Sequence, residues 1–198
     1  MKKTISVIST ILLMTLVIAV LPTDAEARIY NDTLRLHILA NSDNSYDQDL
    51  KLKLRDKILF KYGNSLKECD NILQAEEKAN YLLSAIEEDC ELWIAESGYN
   101  YDVECKLSEE WYETRNYEGY SLPCGYYASL QIIIGGGKGK NWWCVMYPPL
   151  CTYLATEEAP SDDGLINYTK EELFLIKGQG YNIKFKGLEL ISQFFSKK

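Results

Sequence analysis

The chain has 198 residues and carries 29 acidic against 21 basic side chains, a net charge of −8. This balance excludes the basic footprint that nonspecific nucleic-acid binding requires, and it gives no attraction to anionic lipid. One histidine, and six cysteines without a Cys-x-x-Cys spacing, make a zinc site a poor reading.

Residues 1–27 have the layout of an export signal. Lys2 and Lys3 lead an apolar run over 5–21, interrupted only by Ser6, Ser9, Thr10 and Thr15. Pro22 breaks it, and Ala25-Glu26-Ala27 offers an A-x-A cleavage site. The alternative is an uncleaved anchor, because a run of about 17 residues is at the low edge of spanning length. Either way the body of the chain is expected outside the cytoplasm, and the membrane is met only through this segment.

Beyond the signal, residues 34–40 (LRLHILA) read as a buried strand, followed by an Asx- and Ser-rich turn over 41–45. Ser45 with Gln48 fits a capping box. The helix it starts carries Leu50, Leu54, Ile58 and Tyr62 at helical spacing and is expected to stop at Gly63-Asn64. A longer helix is expected over 70–96, with Ile72, Ala75, Ala79, Leu82, Leu83, Ile86, Cys90, Trp93 and Ile94 on its apolar face.

The period then changes. Residues 99–107 alternate as a half-buried strand, 111–117 read as another, and 126–134 as a third. The continuous apolar run over 141–147 suggests a fourth strand in a central position. The short link over 135–140 predicts that these last two strands pair as a hairpin. Residues 156–164 are acidic and read as a linker. A strand over 181–186 and a helix over 188–195 complete the chain. The fold class is therefore α+β, with two helices on a mainly antiparallel sheet and a terminal strand–helix appendage.

In an oxidising space the cysteines are expected to pair as disulfides, the alternative being six buried free thiols that pack as small hydrophobes. Cys144 and Cys151 are the best pair, since Pro148-Pro149 turns the chain between them. So short a loop would stabilise by roughly 2–3 kcal/mol on the chain-entropy argument. Cys105 and Cys124 fall on inward parities of neighbouring segments and form a second candidate pair.

No catalytic constellation emerges. His37 sits in an alternating strand, and no cysteine is marked as its nucleophile. The run GGGKGK at 135–140 fails as a phosphate loop, because Ile134 and Asn141 stand where that motif needs Gly and Ser/Thr. No cofactor or metal is implied. Trp142 and Trp143 cannot both face one side of a strand, so one of them must meet another layer, solvent or a partner.

Several blocks together resemble a known family. They are LRLHILANSD at 34–43, DQDLKLK at 47–53 with Arg55-Asp56, Leu122-Pro123 with Gly125-Tyr126-Tyr127, GGGKGK at 135–140, NWWCV at 141–145 and PPLC at 148–151. In this order they resemble the stage II sporulation protein R family of endospore-forming Firmicutes, over residues 34–151. The resemblance implies an exported signal, not an enzyme. Such proteins pass from the forespore into the space between forespore and mother cell. There a membrane-embedded aspartic protease of the sporulation septum, stage II sporulation protein GA, depends on them to process pro-sigma-E. The matched blocks nominate Arg35, His37, Asn41, Asp43, Lys138, Lys140, Asn141, Trp142 and Trp143 as partner contacts. The expected organisation is a signal (1–27), a family domain (28–154) and an acidic linker with appendage (155–198). The rival readings are an extracytoplasmic cell-wall hydrolase and a wall-binding module.

Overall fold

The computed structural model describes residues 2–20, 23–117, 120–150 and 167–177. In chain order the elements are α1 (Lys2–Val20), α2 (Asp24–Asn31), β1 (Leu34–Leu39), α3 (Ser45–Lys67), α4 (Ile72–Glu96), β2 (Val103–Tyr112), β3 (Arg115–Tyr117), β4 (Tyr120–Leu122), β5 (Gly125–Ile134), β6 (Asn141–Tyr147) and α5 (Lys170–Lys177). They group into two packed units. One takes Met1–Ile29, Trp111–Gly125 and the segment from Thr169 onward; the other takes Tyr30–Glu110 and Tyr126–Tyr168. Among the described residues, no helix is long and apolar enough to cross a membrane.

The larger unit is built on a four-stranded sheet of order β2-β5-β1-β6. β1 runs parallel to β5 and antiparallel to β6. The fold class is α+β, as the periodicity predicts, but two details of the sheet differ. β5 and β6 do not form a hairpin, because β1 lies between them. β1 is buried from Leu34 to Ile38, and so apolar a strand needs a hydrogen-bonding neighbour on each side. The 135–140 link therefore arches over the end of β1. Among the described residues β6 is consequently an edge strand and not a central one. Its apolar run is explained by burial of Cys144 through Tyr147 on both faces.

Register separates the two faces of the sheet. Leu36 and Ile38 stand opposite Leu130 and Ile132 on one side of β1 and opposite Cys144 and Trp142 on the other. This is the helix face, since the Arg55 guanidinium of α3 lies 4.4 Å from the Trp142 ring centroid. Arg35 and His37 point to the opposite face with Ser129, Gln131 and Trp143. The two adjacent tryptophans thus serve opposite layers.

The helices follow their apolar spacing with local departures. α3 continues through Gly63 to Lys67, because Leu66 is buried one turn beyond Tyr62 and packing outweighs the cost of an interior glycine. Its N-cap is Asn44, without a side-chain cap bond. Gln48 instead donates from Nε2 to the Ser42 carbonyl at 2.8 Å. α4 is capped by Asn71, whose Oδ1 accepts from Gln74 N–H at 3.0 Å. α3 and α4 are joined by Tyr62, whose hydroxyl donates to the Ala85 carbonyl and to Asp89, and by the Lys61–Asp89 ion pair.

In the smaller unit, two capping boxes start helices. At α2, Glu26 N–H donates to Thr23 Oγ1 at 3.3 Å and Thr23 N–H to Glu26 Oε2 at 2.5 Å. At α5, Thr169 and Glu172 repeat the arrangement at 3.3 Å and 2.7 Å. Arg28 Nε donates to Glu172 Oε1 at 2.7 Å, which ties α2 to α5. Ala25-Glu26-Ala27 lies in the first turn of α2. β3 and β4 pair antiparallel, with Tyr117 stacked on Tyr120.

Cys105 and Cys124, the second candidate pair, are not joined in this structure. Cys124 is buried with Trp111 and Leu175, whereas Cys105 shares the parity of buried Val103 on β2. Strand parity reports the side a residue faces, not which segment it meets there. Cys151, the acidic linker over 156–164, the strand over 181–186 and the helix over 188–195 lie outside the described residues.

Candidate functional site

Two polar arrangements meet around β1. The first is a row across the face opposite α3. Glu110 of β2, Ser129 of β5, His37 of β1 and Trp143 of β6 occupy the four strands in spatial order. His37 Nδ1 donates to the Glu110 carboxylate at 3.1 Å, and Ser129 Oγ donates to Glu110 Oε2 at 2.7 Å. Burial works against the Glu110 charge, but the hydrogen bonds from His37 and Ser129 prevail and hold its carboxyl below the usual range. The indole of Trp143 stacks on the imidazole with centroids 3.6 Å apart. His37 is 4% exposed, and Arg35 is wholly buried, its guanidinium 5.0 Å from the Tyr127 ring centroid.

The hydrogen-bond connectivity of this row, which differs from its strand order, matters chemically. In a hydrolytic triad the imidazole stands between hydroxyl and carboxylate. Here the carboxylate stands between hydroxyl and imidazole, so the geometry orders the sheet and does not activate Ser129. Among the described residues no group of three or more His, Cys, Asp or Glu is placed to hold a metal ion.

The second arrangement locks the 135–140 arch onto the turn after β1. Lys138 N–H donates to the Asn41 carbonyl at 3.2 Å, and Gly139 N–H to the Ala40 carbonyl at 2.9 Å. Gly136 N–H donates to Asn41 Oδ1 at 2.9 Å, and Lys140 N–H to Asp43 Oδ1 at 2.7 Å. Gly135 and Gly137 hold φ of 53° and 58°, a region glycine enters without steric cost. Asp47, near the start of α3, is the hub. Its carboxylate accepts from Asn41 Nδ2 at 2.9 Å, Ser42 Oγ at 2.6 Å and Tyr101 OH at 3.0 Å. Burial disfavours its charge, yet these donors outweigh burial and its carboxyl is held low. Lys51, also buried, donates from Nζ to the Lys140 carbonyl at 2.8 Å and to Gln48 Oε1 at 2.7 Å. Burial, with Arg55 and Lys140 nearby, pushes its ammonium below the ordinary lysine range.

The nominated residues therefore separate. Arg35 and His37 are interior. Asn41 and Asp43 are committed to holding the arch. Trp143 is stacked on His37, and Trp142 lies half-buried under Arg55. Lys138, Lys140 and Asn141 are exposed at the tip, beside exposed Asp43. Sequence reasoning missed Glu110, Ser129, Asp47, Lys51 and Tyr101. Asp47 and Lys51 do belong to the DQDLKLK block, and that block was the available signal. Glu110 carried none, because only the strand order brings β2 to the row.

Removing the Glu110 carboxylate strands the groups it accepts from. Glu110→Ala is expected to lower stability by about 2 kcal/mol, and Glu110→Gln by less, since an amide oxygen still accepts. Urea denaturation followed by far-UV circular dichroism measures both; an unchanged midpoint in Glu110→Ala would show that the row bears no load.

The fold and site define a small α+β domain on a mixed sheet, with a glycine-rich arch locked over its buried central strand. The chain belongs to the stage II sporulation protein R family, whose sequence profile matches residues 30–157. It is similar to the stage II sporulation protein R of Bacillus subtilis (strain 168), 32% identical over 123 residues, or 62% of this chain and 55% of that protein. The chain thus spans about half the length of this curated relative. No solved structure matches it.

Proposed function

We propose that the chain is an exported intercompartmental signal of endospore formation. In this reading residues 1–27 direct it into the space between forespore and mother cell. There it favours the active state of the membrane aspartic protease that processes pro-sigma-E. The family supports the sporulation role. The observation that carries the finer reading is the convergence of family-like blocks 34–43, 47–53, 135–140 and 141–145 on one end of β1. Residues scattered over the sequence thereby form one surface with Lys138, Lys140 and Asn141 outward. A protein without a catalytic task acts on a protease by binding one of its states more tightly than another.

Reconstitution tests this. The full chain, the membrane protease and pro-sigma-E are co-expressed in a non-sporulating host, and processed sigma factor is measured. Processing is expected to require this chain. The double variant Lys138→Glu, Asn141→Ala is expected to reduce processing at least about tenfold, equivalent to roughly 1.4 kcal/mol or more of lost binding preference, with its thermal midpoint unchanged. Equal processing by this folded variant would remove the tip from the contact surface.

Among the described residues, the Glu110–His37 pair is the feature that favours a cell-wall hydrolase. Loss of turbidity from purified walls, abolished by His37→Ala, would replace the signalling reading. Retention on walls, without any effect on sigma processing, would favour a wall-binding module.

A further inference from the structure

Cys69, Cys90, Cys105 and Cys124 are not disulfide-bonded in this structure, and the signalling proposal uses none of them. Cys90 and Cys105 differ from the others in how their elements run together. The free N–H edge of β2 is bonded to side chains of α4. Cys105 N–H donates to Glu87 Oε2 at 2.8 Å, and Val103 N–H reaches Glu91 Oε1 at 3.5 Å. Advancing four residues along α4, about 6 Å, matches stepping back two residues along β2, about 6.6 Å. The strand edge therefore runs antiparallel alongside the helix, in step with it.

Cys90 falls in the turn between Glu87 and Glu91 and on the buried side of α4 with Ile86 and Ile94. Cys105 is half-buried with the parity of buried Val103, and it alternates with exposed Glu104 and Lys106. Both thiols thus point into the layer between α4 and β2. We propose that Cys90 and Cys105 form a disulfide that staples α4 to the edge strand β2 when the chain folds in an oxidising compartment. Covering a strand edge with a helix is one way a sheet blocks edge-to-edge pairing, and the bond would fix that cover in place.

The chemistry is thiol–disulfide exchange. One thiolate attacks a disulfide oxidant to give a mixed disulfide, and the second thiolate displaces the oxidant's remaining sulfur. The two cysteines lose two electrons and two protons, and the oxidant is reduced to two thiols. Burial, and next the neighbouring Cys105, push the Cys90 thiol far up; burial with Glu87, Glu91 and Glu104 pushes Cys105 up to about 12. Such thiols are poor nucleophiles once enclosed. The bond therefore forms while the chain is folding, and a folded reduced protein is slow to acquire it.

The test refolds the full chain from denaturant in a mixture of glutathione and glutathione disulfide. Remaining thiols are then alkylated without reduction. The tryptic peptide over 79–106 contains both cysteines. It is expected unalkylated and lighter by two hydrogens, and a glutamate-specific digest should leave its two halves joined until reduced. Recovery with both cysteines alkylated, or either joined to another cysteine, overturns the proposal. In a second measurement, reduction is expected to lower the thermal midpoint of the native sequence by roughly 5–10 °C more than that of Cys105→Ser. An equal fall in both also overturns it. Because the oxidant is supplied in vitro, failure would leave the signalling proposal standing.

Discussion

Gly139→Ala is expected to destabilise the larger unit by about 3 kcal/mol, while Gly136→Ala, three residues earlier in the same run, is expected to be nearly neutral. A Cβ at Gly139 would lie 2.2 Å from the Ser42 carbonyl oxygen and 2.6 Å from its carbon. Both are backbone atoms and cannot rotate away. The arch would have to lift off the 40–42 turn, breaking the bonds from Gly139 N–H to Ala40 and from Lys138 N–H to Asn41. A Cβ at Gly136 would meet nothing closer than Asn41 Oδ1 at 3.5 Å, an ordinary contact. Thermal denaturation should show a fall of roughly 6–12 °C for the first variant and little change for the second. Equal effects would mean that glycine is required for general flexibility and not for the close approach at one position.

The second large effect is at Asp47. Asp47→Ala is expected to cost about 3 kcal/mol, because three hydrogen-bond donors that converge on one buried carboxylate lose their acceptor together. Asp47→Asn is expected to cost nearer 1 kcal/mol. Its oxygen can accept from Asn41 and Ser42, and its amide can donate to the Tyr101 hydroxyl, so the bonds survive and only the charge is lost. The two variants also separate charge from shape by pH. The folded-state pKa of Asp47 is depressed. Its contribution is therefore fully present above the unfolded value, about 3.9, and is lost as pH falls through the folded value. The stability gap between native protein and Asp47→Asn should be constant near neutral pH and close on acidification below about pH 4. A gap that stays open in acid would show that Asp47 acts through packing alone.

These two predictions meet in one place, the join between the glycine arch and the turn after β1. The same place carries most of the blocks on which the family resemblance rests. GGGKGK and NSD look unrelated in the sequence. In the fold they are two sides of one contact, with glycines where backbones touch and Asn41 and Asp43 accepting the arch's N–H groups. Of the arch's side chains and the residue after it, Lys138, Lys140 and Asn141 face outward. The outward set is therefore smaller than the motif, and partner binding is best tested there.

Periodicity in the sequence was sufficient for the elements themselves. Apolar spacing in α3 and α4 located two helices, and alternation located β1, β2 and β5, because helix and strand periods are properties of consecutive residues. The opposite facing of Trp142 and Trp143 was likewise legible, since neighbours on a strand cannot share a face. The N-terminal capping box of α5 was legible in principle at Thr169 and Glu172, although no element was expected between the linker over 156–164 and the strand over 181–186. Strand order was not legible. Nothing between residues 126 and 147 states that β1, nearly a hundred residues earlier, lies between β5 and β6. That insertion is decided by the need of a doubly buried strand for hydrogen-bonding partners on both edges. Among the described residues it in turn makes β6 an edge strand, brings Glu110 and Ser129 to His37, and sets Cys105 against α4. Local chemistry determined which segments became helix or strand; only tertiary packing decided which of them became neighbours, because pairing depends on contacts between residues far apart in the chain.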